Sequence, residues 1–168
     1  SCAKELAADR SWVFLEDGEG GYYERRQESR PGLPEGSEPG ELDAQAVARE
    51  LEERGHVQLR GDGIARFFRT PPTPPPRAAL GVPLRASART VGFLFAVRCE
   101  LDARFDEGQR KLLSMIGSRA AAAIDNARLY EDLQSTFSRR SRASRRPSTR
   151  WTPTPRATAS GSRSTPGS

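Results

Sequence analysis

The chain has 168 residues, a formal net charge of +5, 35% hydrophobic residues, 13 prolines and 15 glycines. That length suits one ordinary domain and not two full ones, and the low apolar share points to an unpacked segment. No apolar run approaches the ~20 residues that span a bilayer, the N-terminus lacks a signal-peptide core, and Cys2 and Cys99 match neither a zinc ribbon nor a C-x-x-C pair; a reduced, cytoplasmic protein with no membrane partner is expected.

Charge is unevenly placed. From Ser138 to the end there is no Asp, Glu or Lys, and eight arginines stand among Ser, Thr and Pro. Without those eight charges residues 1–137 carry −3, so the basic character belongs to the tail. The expected organisation is a domain over residues 1–133, truncated at its N-terminus, followed by a disordered Arg-, Ser- and Pro-rich tail over 134–168.

In chain order, Ala3, Leu6 and Ala7 have the spacing of the last turns of a helix. Ser11 to Glu16 and the segment from Tyr22 read as a β-hairpin around the turn-forming Asp17 to Gly21. Residues 30–41 read as a loop. Asp43 then caps a short helix in which Ala44, Val47, Ala48 and Leu51 share a face and Gly55 takes the left-handed end position, and a strand follows over His56 to Leu59. Gly61 to Pro76 contains the run P-P-T-P-P-P over 71–76, where each Pro removes a backbone donor, and no regular element is expected to cross it. A stiff loop over a pocket or an edge is favoured there over a docking motif for an SH3-like partner.

The clearest β signal is Ala78 to Ala86 and Thr90 to Cys99; the near-continuous apolar character of the second marks a central strand, and Pro83 pushes the first to an edge or a bulge. Asp106 and Gln109 form a capping box at the start of a long helix, with Phe105 placed as a hydrophobic staple. Leu113, Ile116, Ala120, Ala123, Ala127 and Tyr130 recur at three- and four-residue steps and predict one apolar stripe.

Val82-Pro83-Leu84, Val91-Gly92-Phe93-Leu94, Phe105-Asp106-Glu107 with Leu112-Leu113, and Ala123-Ile124-Asp125-Asn126-Ala127-Arg128-Leu129-Tyr130 together resemble the C-terminal half of the GAF family. The resemblance is firm over residues 78–133 and rests on element order over 2–77. It implies an α+β fold, an antiparallel sheet with helices on both faces, a ligand pocket beneath variable loops and a long C-terminal helix that passes a signal onward. The function it implies is sensory or regulatory in bacterial signal transduction, without catalytic residues of its own.

Ligand-specific features of the family carry over poorly. The Asn-Lys partner of the cyclic-nucleotide-binding pattern is missing, so Phe105-Asp106-Glu107 reads as a helix cap. His56, the one histidine, is expected at the surface rather than on haem or metal. No metal and no cofactor is specified. Tyr22, Tyr23, Phe67 and Phe68 are the candidates to line a pocket for an unidentified small molecule, with core packing as the competing role. Ala127, Tyr130 and Leu133 are the candidates for a homodimer through the C-terminal helix.

Shifting the reading frame of the tail's codons by one position turns Trp151-Thr152 into Asp and permits A-Y-T-x-G-H-S-E-R-V after it. That string resembles the start of an HD-GYP domain, the family of cyclic di-GMP phosphodiesterases, so a frameshift near Phe137 in a gene for such a parent is expected. Two other functions compete. A GAF branch reduces free methionine sulfoxide with paired thiols, which Cys2 and Cys99 would have to supply. The basic tail could instead bind nucleic acid through phosphate contacts, although no fold organises it and a nucleic-acid partner is not expected.

Overall fold

The computed structural model describes residues 6–143, with side chains through Arg139, and residues 153–155. The chain divides into two units, residues 1–131 and 132–168. The first unit is built on a five-stranded antiparallel sheet of β1 (Arg10–Glu16), β2 (Tyr22–Ser29), β4 (Val57–Arg60), β6 (Ala78–Ala86) and β7 (Arg89–Arg98), in the order β2-β1-β7-β6-β4. A second, two-stranded ladder pairs β3 (Glu41–Leu42) with β5 (Phe68–Thr70). Helix α1 spans Ala44–Arg54, a 3₁₀ helix spans Gly61–Phe67, and α2 spans Glu107–Ala143.

β7 is the central strand, as its apolar run predicts, and it is buried from Val91 to Val97. Its side chains divide by alternation between two cores. Phe93, Phe95 and Val97 meet Trp12, Phe14, Ala79 and Val57 on one face, where α1 adds Val47, Ala48 and Leu51 and the following segment adds Ile64, Phe67 and Phe68. Leu94 and Ala96 meet Leu15, Leu80, Val82 and Leu84 on the other, where α2 adds Leu113 and Ala121. Helices therefore cover both faces of the sheet, and the architecture is α+β.

The caps form as the sequence predicts. Asp43 accepts hydrogen bonds from the Gln45 and Ala46 amides at 3.1 and 3.2 Å, and Gly55 closes α1 at φ 76°. In the capping box of α2 the Gln109 amide donates to Asp106 Oδ1 at 2.7 Å, and the Asp106 amide donates to Gln109 Oε1 at 3.0 Å. Phe105 is no staple, because the position it would pack against is Arg110; it is buried under the Arg98 guanidinium instead, 4.7 Å from its ring. Pro83 pairs with Phe93 of β7 but lies where β4 has already ended, since that pairing stops at Val57 and Gly81, so on that side this part of β6 is an edge.

Three expectations change. Upstream of the prolines, Gly61 to Thr70 is not a bare loop: it forms the 3₁₀ helix and β5, fixed by burial of Ile64, Phe67 and Phe68. The buried line of α2 runs through Leu113, Gly117 and Ala121, with Ile124 and Arg128 half-buried, while Ala123, Ala127 and Tyr130 are exposed. The observed positions advance by four, four, three and four residues and so wind slowly around α2 in the direction opposite to the predicted stripe, whose steps of three and four fall short of whole turns. The helix also continues to Ala143, past the boundary expected at residue 133, and within the second unit Ser135 and Thr136 donate their hydroxyls to the Asp132 carbonyl. Of the last helical turns expected over Ala3 to Ala7, the described residues Leu6 and Ala7 form a turn, with Ala7 at φ 48°, while Ala3 and the tail beyond Ala143, apart from 153–155, lie outside the described residues.

Candidate functional site

A cleft of about 430 Å³ opens on the α1 side of the sheet, at the end where β1 turns into β2. Phe14 and Tyr22 supply its aromatic surface, Leu42 and Ala44 line it at the N-terminus of α1, and Asp17, Glu24, Glu41, Gln45 and Arg69 supply its polar groups. Strand periodicity explains the selection. Phe14 pairs with Glu24 and Glu16 with Tyr22, which places these side chains on one face, whereas Tyr23 pairs with Leu15 on the opposite face.

The hairpin loop at the mouth of the cleft is pre-shaped. Asp17 Oδ1 accepts from the Glu19 and Gly21 amides at 2.8 and 3.0 Å, and the Asp17 amide donates to the Gly21 carbonyl at 3.1 Å. Gln45 Nε2 donates to the Gly20 carbonyl at 3.2 Å, joining the loop to α1. From the other side Arg128 Nη2 donates to the Glu16 carbonyl at 2.7 Å, joining the end of β1 to α2. Arg69 stands 3.4 Å from Glu41 and 4.0 Å from Asp43, so one guanidinium faces several carboxylates and the cleft is acidic.

Tyr22 leans on Phe93 at a ring separation of 5.5 Å and also borders a cavity of about 20 Å³ between α1 and the β6–β7 hairpin, too small for more than a water molecule. Burial, then the Glu16 and Glu52 carboxylates, raise its phenol pKa, so the hydroxyl stays a donor throughout the neutral range. Gly92 lets β7 come close here, because a β-carbon at that position would fall 3.0 Å from the Leu15 Cα and closer still to the Phe14 carbonyl.

The four aromatic residues proposed for a pocket are not brought together. Tyr22 lines the cleft, while Tyr23 is 45% exposed on the other face of the edge strand. Phe67 and Phe68 are buried behind the cleft against Phe95, at 5.7 and 6.2 Å, and Phe68 also meets Trp12 edge-on at 5.6 Å. The sequence reading passed over Asp17, Glu24, Gln45 and Arg69. The alternation of β2 and the D-G-E-G-G turn were signals for the first two, but no local pattern marks the others.

His56 borders a different surface cleft, with Glu50 and Arg54. Among the described residues no group of three or more His, Cys, Asp or Glu is arranged to hold a metal ion, and no helix is long and apolar enough to cross a membrane. Cys99 donates to the Pro74 carbonyl at 3.5 Å. Burial and then Asp9 raise its pKa, with Arg10 opposing, so a nucleophilic thiolate is disfavoured. Cys2 lies outside the described residues.

The GAF domain family profile matches residues 1–124. The chain belongs to the GAF domain family. No curated protein matches it. Among solved structures, the GAF domain is similar to the photoproduct state of GAF3 from Slr1393 of Synechocystis sp. PCC6803, at a TM-score of 0.59 and 17% identity, covering 79% of this chain and 92% of that one. A GAF domain/HD domain protein from Geobacter sulfurreducens aligns at 0.56 and 16% identity over 76% and 87% of the two chains. The GAF-B domain of DevS from Mycobacterium smegmatis aligns at 0.54 and 18% over 79% and 90%. At such identities the likeness establishes the fold alone. The family is typically sensory in bacterial signalling and regulatory rather than catalytic.

Proposed function

We propose that this GAF domain takes a small ligand in the cleft at Tyr22 and relays its presence through α2 to an output domain. The observation that carries this reading is the hairpin loop at the cleft mouth, which is bonded to α1 through Gln45 and, one residue before it, to α2 through Arg128. A ligand that moves the loop acts on both helices at once. The acidic rim, with Arg69 as its cation, and the aromatic floor favour a small ligand that joins a cationic or hydrogen-bond-donating group to a flat apolar part. Phe67 and Phe68 act from behind, by fixing the floor.

The parent is proposed to be a cyclic di-GMP phosphodiesterase with an HD-GYP output. Support comes from the shifted reading of the tail and from the pairing of GAF and HD domains in the similar Geobacter protein. The relay is proposed to use a homodimer through Ala127, Tyr130 and Leu133; Tyr130 and Leu133 are 64% and 59% exposed. Sequencing the gene past codon 137 tests the parent: an uninterrupted HD-GYP frame displaced by one base supports it, and stop codons in that frame defeat it. Screening small molecules against the purified chain and against Tyr22→Ala tests the cleft, with binding expected only for the former.

A further inference from the structure

Arg10 stands at the start of β1 on the same face as Trp12 and is 1% exposed. Its Nη2 donates to the Thr73 carbonyl at 2.6 Å, while Nε and Nη1 have no acceptor. Its neighbour Asp9 is turned to other partners, the Cys99 amide at 2.7 Å and Arg30 at 3.4 Å, and makes no hydrogen bond to Arg10 Nε or Nη1. Two residues along the strand, the Trp12 indole is fully buried and its Nε1 also lacks an acceptor.

A guanidinium carries donors and no acceptor, so its unpaired N–H groups call for an acceptor from elsewhere. Buried polar groups are almost always partnered, and a buried charge more so. Here two adjacent side chains on one strand face hold donors alone. The proline run lies over Arg10 through Thr73, with Pro72 and Pro76 buried and the Thr73 amide tied to the Glu38 carbonyl at 2.9 Å, and Trp12 packs beside it against Phe68 and Phe95. Prolines bring no N–H, so this cover adds no competing donors, and it lends the guanidinium one carbonyl.

We propose that Arg10 and Trp12 form a second binding site, a receptor for a compact oxyanion beneath the proline strap. Guanidinium and indole are donors only, so the matching group accepts only: a carboxylate or a phosphate. The site lies at the opposite end of β1 from the cleft and does not depend on the cleft having a ligand. Entry requires the strap to lift, which breaks the bond between Thr73 and Glu38.

The test uses the full chain with Trp151→Phe, so that Trp12 is the sole indole. Acetate, inorganic phosphate and glycerol phosphate are titrated separately at constant ionic strength, with fluorescence and melting temperature as readouts. A saturable response to at least one anion is expected, and the preferred anion identifies the group as a carboxylate, a free phosphate or a phosphate ester. Arg10→Met should weaken binding by roughly ten- to hundredfold, the value of a charge-assisted hydrogen bond. Trp12→Phe, followed by melting temperature, should weaken it by a smaller factor. Should Arg10→Met not fold, Arg10→Lys decides, since it keeps the charge and loses the guanidinium donors. No response to any anion, or a response that these variants leave intact, overturns the proposal.

Discussion

Arg128 on α2 donates to the carbonyl of Glu16 at the end of β1, 2.7 Å away and 112 residues apart in sequence. Glu16 directly precedes the Asp17–Gly21 loop, and Arg128 sits inside the A-I-D-N-A-R-L-Y segment that carries the family resemblance. One charge-assisted bond thus fastens the loop at the cleft mouth to the helix proposed to carry the signal. Linkage makes such a coupling reciprocal: whatever loosens the loop loosens the helix, and the converse.

Arg128→Gln should destabilise the domain by about 1.5–3 kcal/mol, the range for a hydrogen bond with one charged member. Amide exchange should rise at Glu19 and Gly21 in this variant, and in Asp17→Ala it should rise along α2 around Arg128. Exchange confined to the mutated element in both variants would remove the coupling.

Phe93→Ala should cost about 3–5 kcal/mol in denaturant unfolding, because it leaves a hole in a packed core. Phe93 stacks on Phe14 at 5.1 Å and supports Tyr22 at 5.5 Å. Gly92→Ala should cost about 1–3 kcal/mol by overpacking against the backbone of Phe14 and Leu15. A loss below 1 kcal/mol in both would mean that the floor of the cleft is not packed as described.

Much of this was legible in the sequence. The D-G-E-G-G hairpin, the Asp43 cap, the Asp106–Gln109 box and the apolar run of β7 are local signals, and each element forms where its signal lies. The β3–β5 ladder was not legible, since two residues of pairing are fixed by burial of Leu42 and Phe68 and not by any period. The cleft was half legible. Alternation separates Tyr22 from Tyr23, but only the tertiary fold sends Phe67 and Phe68 into the core and brings Arg69 beside Glu41. Arg10 and Arg128 were invisible for the same reason, because their partners lie 63 and 112 residues away.

Cys99 gives a pH-dependent test. Its pKa is raised by burial and by Asp9, so the folded protein holds the neutral thiol where an unfolded chain would ionise. The associated stability is present below the ordinary cysteine value and is lost as pH rises through the raised one. With Cys2→Ser, alkylation of the native chain at pH 8 should be slower than that of the denatured chain, and the melting temperature should fall on going above pH 9. Equal alkylation rates would contradict the assigned environment.

The proposed dimer predicts that the chain self-associates in equilibrium sedimentation and that changing Leu129, Tyr130 and Leu133 to Ser abolishes it. Leu129 is 56% exposed, so the substitutions should leave the melting temperature of the monomer nearly unchanged. Two monomeric samples, or two equal dimers, would defeat the idea.

The measurement closest to the central claim is an NMR titration of the labelled chain with a small molecule selected by its binding. The account predicts shifts at Asp17–Gly21, Tyr22 and Gln45 together with shifts around Arg128, and loss of the Arg128 response in Arg128→Gln while binding persists. Shifts that leave α2 unmoved, or a bound molecule that perturbs neither Tyr22 nor the loop, would contradict it.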